Sequence, residues 1–283
     1  MVPLAVSPDN FGNILLLCFQ ICLATMIVIS NILAFSAIVS SGTFRREMRV
    51  LYMMSTCISD FCTGITWYYV GVFDVRDNIP RKNDTKFIAA NFVGISYLTI
   101  LAAQVDRYCA VNFPMWYIHK MTTSKTVGIL VAIWSYTFAI LISQNVTTSS
   151  TALKIQLIGM LVWSLVTYTI MIGLNIKLFL IAKFQLTKMK GTDKDYKKTS
   201  LYLIIAVAAS FILLWAPVFL RSIVCLLTTV NWCVLTSNIC TDVIVILPRI
   251  NAAVTPLLYI NSCSFIKKTL QEKFCNCHSK ICM

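Results

Sequence analysis

Of 283 residues, 58% are hydrophobic and only 12% are charged, where a soluble domain carries about 25% charged residues. This composition excludes an ordinary soluble fold and points to a membrane protein. A net charge of +13 in a soluble chain would raise nucleic acid as a partner. Here the basic residues sit beside apolar runs, as topology in a bilayer requires, so the lipid bilayer is the expected partner and nucleic acid is not.

A membrane-crossing helix needs about 20 apolar residues. Seven stretches qualify, at about 14–39, 51–73, 87–105, 127–142, 155–182, 201–227 and 239–260, and an amphipathic stretch follows at 265–274. The expected fold is an all-α membrane protein, a seven-transmembrane helix bundle in one domain over 1–283, with a short amphipathic eighth helix. The first run is too long for the apolar core of a signal peptide and lacks a basic segment before it, so it reads as an uncleaved span. Lysine and arginine crowd alternate connections: Arg45, Arg46 and Arg49, then Lys120 and Lys125, then the lysines between Lys183 and Lys198, then Lys267, Lys268, Lys273 and Lys280 in the tail. With seven spans these fall on one face, which is cytoplasmic by the positive-inside rule. Two glycosylation sequons, at Asn83 and Asn145, fall on the opposite face. The expected placement is the plasma membrane, with the N-terminus outside and the C-terminus inside. Internal repeats of the kind many transporters carry are not visible.

Polar residues inside spans are functional candidates, because each is costly in lipid. The third run ends abruptly in Asp106, Arg107 and Tyr108. A charged group at the bilayer centre costs roughly 2.5–3.5 kcal/mol, so this end belongs at a water boundary. Pro114 is expected to break the helix shortly after it leaves the bilayer. The other candidates are Asn31, Asp60 and Trp134 in the first, second and fourth spans, Phe211, Trp215 and Pro217 in the sixth, and Asn251, Thr255, Pro256 and Tyr259 in the seventh. Singly, each has a bland reading: an interface tryptophan, a packing proline, an asparagine bonded to a nearby carbonyl.

Together, and in this order, they resemble the signature set of rhodopsin-like (class A) G-protein-coupled receptors over essentially the whole chain, from Asn31 to Phe265. The resemblance implies an extracellular ligand, a heterotrimeric G protein as partner, and outward motion of the sixth span. Arg107 is implied to contact the G protein and to pair with Asp106 at rest. Trp215 is implied to lie at the floor of the ligand site, Pro217 to supply a kink, and Tyr259 to swing inward on activation. Asp60, with Ser96 and Asn251, matches a sodium site, the one cofactor implied; Ala252 and Thr255 depart from that pattern, and a protonated Asp60 is the alternative. Lys197 stands where many relatives carry an acid that locks Arg107, which implies raised basal activity. The family's usual cysteine position is Lys82, so its usual disulfide is absent, and Cys233 and Cys240 are left to pair in the last outer loop. The missing disulfide, the missing fifth-span proline and Asn175 in place of a tyrosine resemble melanocortin receptors and their lipid- and adenosine-receptor relatives; 121–125 also looks like fish odorant receptors.

For the ligand, the amine-binding aspartate position is Ala89, and the acids that melanocortin receptors use fall on Val70, Lys82 and Lys86, so neither an amine nor a basic peptide is implied. The opsin lysine position is Arg249, which is no Schiff-base nucleophile. Arg249, Arg221 and Lys86 form a candidate clamp for an acidic small molecule or lipid; the alternatives are that Arg249 pairs with Asp242 or snorkels. Trp67, Tyr68 and Tyr69 are candidates to line the ligand pocket, with packing at the lipid interface the first expectation. Cys275 and Cys277, after the amphipathic helix, suit palmitoylation; zinc at Cys275, Cys277 and His278 is the weaker reading. No enzyme is expected, because both histidines, His119 and His278, lie in cytoplasmic segments. A chemosensory receptor of the same fold, or a non-signalling transporter or scavenger, are the competing functions.

Overall fold

The computed structural model describes residues 4, 6–43, 47–73, 88–147, 150–184, 192–227, 243–263 and 265–272. The helices are α1 (Phe11–Ser41), α2 (Met48–Trp67), α3 (Ile88–Asn112), α4 (Pro114–Lys120), α5 (Thr123–Val146), α6 (Ser150–Phe184), α7 (Thr192–Leu227) and α8 (Val243–Ser262). A ninth, α9, covers 265–272. Seven of them, α1, α2, α3, α5, α6, α7 and α8, make the bundle, which α9 closes at one end. α3 is its axis: it packs against α2, α5, α6 and α7 and runs on to α4.

Among the described residues, four bundle segments are long and apolar enough to cross a membrane by composition alone: Phe11–Ser41, Thr123–Val146, Leu161–Ile181 and Leu201–Arg221. α2, α3 and α8 line the interior. They carry the polar groups of the interior, among them Ser59, Asp60 and Thr63 on α2, Ser96, Thr99 and Gln104 on α3, and Asn251 and Thr255 on α8, all buried. Polar groups at membrane depth face the protein.

The helices outrun the apolar runs. α5 reaches Val146, so Asn145 lies in its last turn and not in a loop; its Nδ2 donates to Leu141 O at 2.8 Å. α7 begins at Thr192, a turn or more ahead of the apolar stretch. α2 ends in a π-helical turn, Tyr68–Val72. Pro114 does end α3, but it also occupies the first position of α4, an element absent from the expected set. Proline suits that position because its missing N–H has no partner there in any helix. α9 is amphipathic as expected: Ile266 and Leu270 are buried, while Lys267 and Lys268 are exposed.

Pro217 and Pro256 lie inside α7 and α8. Pro256 has no N–H to offer Ala252 O, four residues back. Asn31 supplies the missing donor: its Nδ2 donates to Ala252 O at 2.9 Å and to Ile27 O at 2.8 Å. The first-span asparagine thus ties α1 to the opened turn of α8.

Gly64 lets α1 and α2 approach closely, since a Cβ there would meet Ile27 Cγ2 and Val28 Cγ2 at 2.9 Å each. Those methyls belong to β-branched side chains that cannot swing aside. Gly64→Ala is expected to lower the melting temperature of the detergent-solubilised protein, at a cost of about 1–3 kcal/mol. Gly159→Ala, with nothing within 4 Å of the new methyl, is the control expected to match or exceed the wild type; equal melting of both variants would disprove the close packing.

Candidate functional site

The end of α3 carries the charged group. Arg107 Nη2 lies 3.1 Å from Asp106 Oδ2, and the Asp106 side chain is 2% exposed against 20% for Arg107. Burial of the carboxylate is compensated from a second direction. Tyr117 of α4 donates its hydroxyl to Asp106 Oδ1 at 2.9 Å and Oδ2 at 3.0 Å. Burial and the facing Asp106 carboxylate push the Tyr117 phenol above its usual range, so it remains a donor. Sequence reasoning passed over Tyr117; its one signal was a phenol eleven residues beyond an acid that needed a partner. Tyr108 turns the other way, packing against Leu178, Leu201 and Ile205, with Lys177 Nζ 5.7 Å from its ring centre.

Arg107 also lines a small cavity of about 30 Å³ with Arg49, Tyr52, Thr56 and Tyr259. Tyr259 is buried and its hydroxyl bonds that of Thr56 at 3.0 Å, tying α8 to α2. One turn deeper, Gln104 Nε2 donates to Asn175 Oδ1 at 3.3 Å, so the asparagine that replaces a tyrosine in α6 is engaged by α3 and not by Arg107. Lys197 lies in α7, but its side chain is outside the described residues.

Further in, Asp60 and Ser96 are 2% exposed each; the Ser96 hydroxyl faces the Asp60 carboxyl, and neither Asp60 Oδ2 nor Ser96 Oγ completes a hydrogen bond within 3.5 Å among the described residues. Asn251 Oδ1 accepts from Ser210 Oγ at 3.3 Å. A carboxylate oxygen and a hydroxyl, both buried and unsatisfied, suit a hard cation with oxygen preferences, so this donor set fits sodium. Trp134 is half-buried, and its Nε1 donates to Ser55 Oγ at 3.0 Å, joining α5 to α2.

The sixth-span aromatics form a continuous stack. Tyr97 of α3 lies on Phe211 (centroids 5.0 Å apart), Phe211 on Trp215 (5.1 Å), and Trp215 beside Phe219 (5.8 Å), which Tyr168 of α6 also meets at 4.3 Å. Tyr168 donates its hydroxyl to Ile212 O at 2.7 Å, in the turn ahead of Pro217.

On the other side, Arg249 lies over the ring of Trp67, 4.1 Å from its centre. Trp67 is fully buried and its Nε1 donates to Gln20 Oε1 at 2.8 Å. This corrects the interface placement of Trp67: the ring fills the space between α1 and α8, because Gln20 and Arg249 satisfy its edge and its face. Tyr68 bonds Thr25 of α1, whereas Tyr69 is exposed as expected. Neither Gln20 nor the Trp67–Arg249 stack was foreseen; a glutamine inside the first apolar run was the available signal. Arg221 is half-buried on α7. Ala89 lies in the first turn of α3, and its side chain is outside the described residues, as are Lys86, Asp242, Asn83, Cys233, Cys240, Cys275 and Cys277 altogether.

Residues 30–259 match the model of the seven-transmembrane receptor (rhodopsin) family, and the chain belongs to that family. It is similar to melanocortin receptor 5 of Homo sapiens, with 23% identity over 270 residues, 89% of this chain and 82% of that protein. It is also similar to melanocortin receptor 4 of Danio rerio, with 24% identity over 266 residues, 88% of this chain and 80% of that one. Melanocortin receptor 3 of Homo sapiens is 21% identical over 273 residues, 89% and 82% of the two chains. The class A G-protein-coupled receptor fold and multi-pass membrane placement follow, and a receptor family makes an enzyme a poor description of the chain.

Proposed function

We propose that this receptor sits in the plasma membrane with its N-terminus outside and transmits binding of an extracellular ligand to a heterotrimeric G protein by outward motion of α7. The observation that supports this reading is the shared cavity of Arg107 and Tyr259. At about 30 Å³ it holds little more than a water. A G-protein helix is 10–12 Å across with its side chains, so α7 must move away from α3 before one enters. The arrangement of Asp106, Arg107 and Tyr117 is then the closed packing of a two-state element. A purified receptor mixed with nucleotide-free heterotrimers of the stimulatory, inhibitory and phospholipase-activating classes is expected to form a complex with at least one, stable to gel filtration and dissolved by GTP. No complex with any of the three sinks the coupling reading.

Sodium belongs to the same reading. Asp60 and Ser96 would hold it, with Asn251 near, and its charge would balance the buried carboxylate of Asp60 and favour the closed packing.

For the extracellular ligand, the candidate remains a small acid or acidic lipid held by Arg221, Arg249 and Lys86. The support is that Trp67 holds the Arg249 guanidinium in a fixed plane, which favours a planar carboxylate partner. Arg249→Ala and Arg221→Ala, made singly, are expected to raise the half-effective concentration of an acidic agonist by about tenfold or more while surface display persists; an unchanged dose response ends the clamp. Glycans at Asn83 and Asn145, a Cys233–Cys240 disulfide and palmitates at Cys275 and Cys277 are further proposals, each visible as a mass shift in the purified protein. Endoglycosidase treatment tests Asn145 in particular, because it sits in a helical turn.

A further inference from the structure

α5 and α6 both pack on α3, and a cavity of about 200 Å³ opens between them in the half of the bundle away from Arg107. Its back wall is α3, with Asn91, Gly94, Tyr97 and Leu98; Ile140 and Trp163 stand on the flanking helices. Its rim faces outward from the bundle: Tyr136 and Trp163 are 45% and 52% exposed. Among the described residues, none that lines it is an acid, a base or a histidine, and neither Arg221 nor Arg249 lines it.

Among the described residues, one buried polar group in the wall is unsatisfied. Asn91 is 9% exposed, and its Nδ2 has no hydrogen-bond partner among the described residues. The buried hydroxyls nearby are occupied. Tyr97 donates to Thr167 Oγ1 at 2.6 Å, and Thr137 donates to Ile133 O and Trp134 O in its own helix. A buried amide N–H without an acceptor costs about 1–3 kcal/mol, and an incoming acceptor recovers it. The cleft asks for one acceptor atom at the Asn91 end and an apolar body beside Leu98 and Ile140. Its described lining offers nothing to a formal charge.

We infer that the cleft between α3, α5 and α6 is a binding site for a neutral lipophilic molecule bearing a carbonyl, which enters sideways from the bilayer and accepts a hydrogen bond from Asn91 Nδ2. A ligand in place touches Tyr97, whose ring lies on Phe211 and through it against Trp215. The site therefore addresses the aromatic stack of α7 from the lipid side, independently of a ligand entering from outside.

The test is a binding measurement, so its failure leaves the receptor reading untouched. The full chain is placed in phosphatidylcholine nanodiscs and photolabelled with two neutral probes, progesterone and monooleoylglycerol, each carrying a diazirine and an alkyne. At least one is expected to label saturably, with adducts on α3, α5 or α6 around the cleft, competed by its untagged parent and not by the matching hydrocarbon without oxygen. Gly94→Leu fills the cleft at a position where a new Cβ meets nothing within 4 Å, so the variant is expected to fold and to lose labelling about tenfold or more. Asn91→Ala keeps the space and removes the donor, and is expected to weaken competition by about tenfold. Labelling that is unsaturable, maps elsewhere, or is unchanged in Asn91→Ala overturns the proposal, whether or not Gly94→Leu reaches the discs. An oxygen-free hydrocarbon that competes equally overturns the role of Asn91.

Discussion

Cells expressing this receptor are expected to show an agonist-free cAMP or inositol phosphate signal that Arg107→Ala returns to the level of untransfected cells. Two features produce that outcome. The position from which an acid of the sixth span would restrain Arg107 carries Lys197, and two cations repel. The restraint on Arg107 is then its neighbour Asp106, at 3.1 Å, and Asp106 is already held by Tyr117. Arg107 thus leaves the pair without abandoning a bare buried carboxylate, and the closed state loses less by opening. Removing a central arginine from a protein interface costs roughly 2–4 kcal/mol, so coupling falls about 30-fold or more. The variant is expected to reach the surface, because Tyr117 still satisfies Asp106. Lys197→Glu supplies the missing acid and is expected to lower the wild-type basal signal. A basal signal that persists in Arg107→Ala would remove Arg107 from the coupling role; a silent wild type at normal surface density would dispose of the raised basal activity and leave the fold as it is.

The bundle was legible in the sequence because its outer helices must satisfy lipid, and lipid admits only long apolar runs. α1, α5, α6 and α7 announce themselves this way. α2, α3 and α8 show the same apolar runs, and Asp60, Asn251 and the Asp106–Arg107 pair, too costly to stand in lipid, mark them further as helices that face protein. What could not be read is what each polar group bonds to. The Asn31 side chain caps the carbonyl that Pro256 orphans, 221 positions away in sequence, and no periodicity announces a contact between helices. α4 escaped for a different reason. A proline after an apolar run reads as a stop, and the seven-residue helix it opens is too short and too exposed to leave an amphipathic pattern. Asn145 moved from loop to helix because hydropathy ends where the bilayer does, while backbone hydrogen bonding continues to the next residue that breaks it.

Trp67→Ala is expected to be the most damaging single substitution outside the charged cluster, and its reason lies in the same hidden pairings. The ring is fully buried and belongs to a cluster with Leu23, Ala24 and Ile27 of α1 and Ile246, Ala252 and Ala253 of α8. Gly71, one turn on, comes so near the indole that any side chain there would collide with it, so the space is filled on that side too. Truncation to alanine opens a cavity that packed helices cannot close, at about 3–5 kcal/mol. It also strips Gln20 Oε1 of the indole N–H at 2.8 Å and removes the ring beneath Arg249. Trp67→Phe separates these terms. It keeps most of the packing and a π face for Arg249, loses the N–H, and is expected to cost about 1–3 kcal/mol. Thermal unfolding of the solubilised proteins should rank wild type above Trp67→Phe and Trp67→Phe above Trp67→Ala, with surface display of the alanine variant sharply reduced. If Trp67→Ala melts with the wild type, the tryptophan belongs at the lipid interface and α1, α2 and α8 are held together by something else.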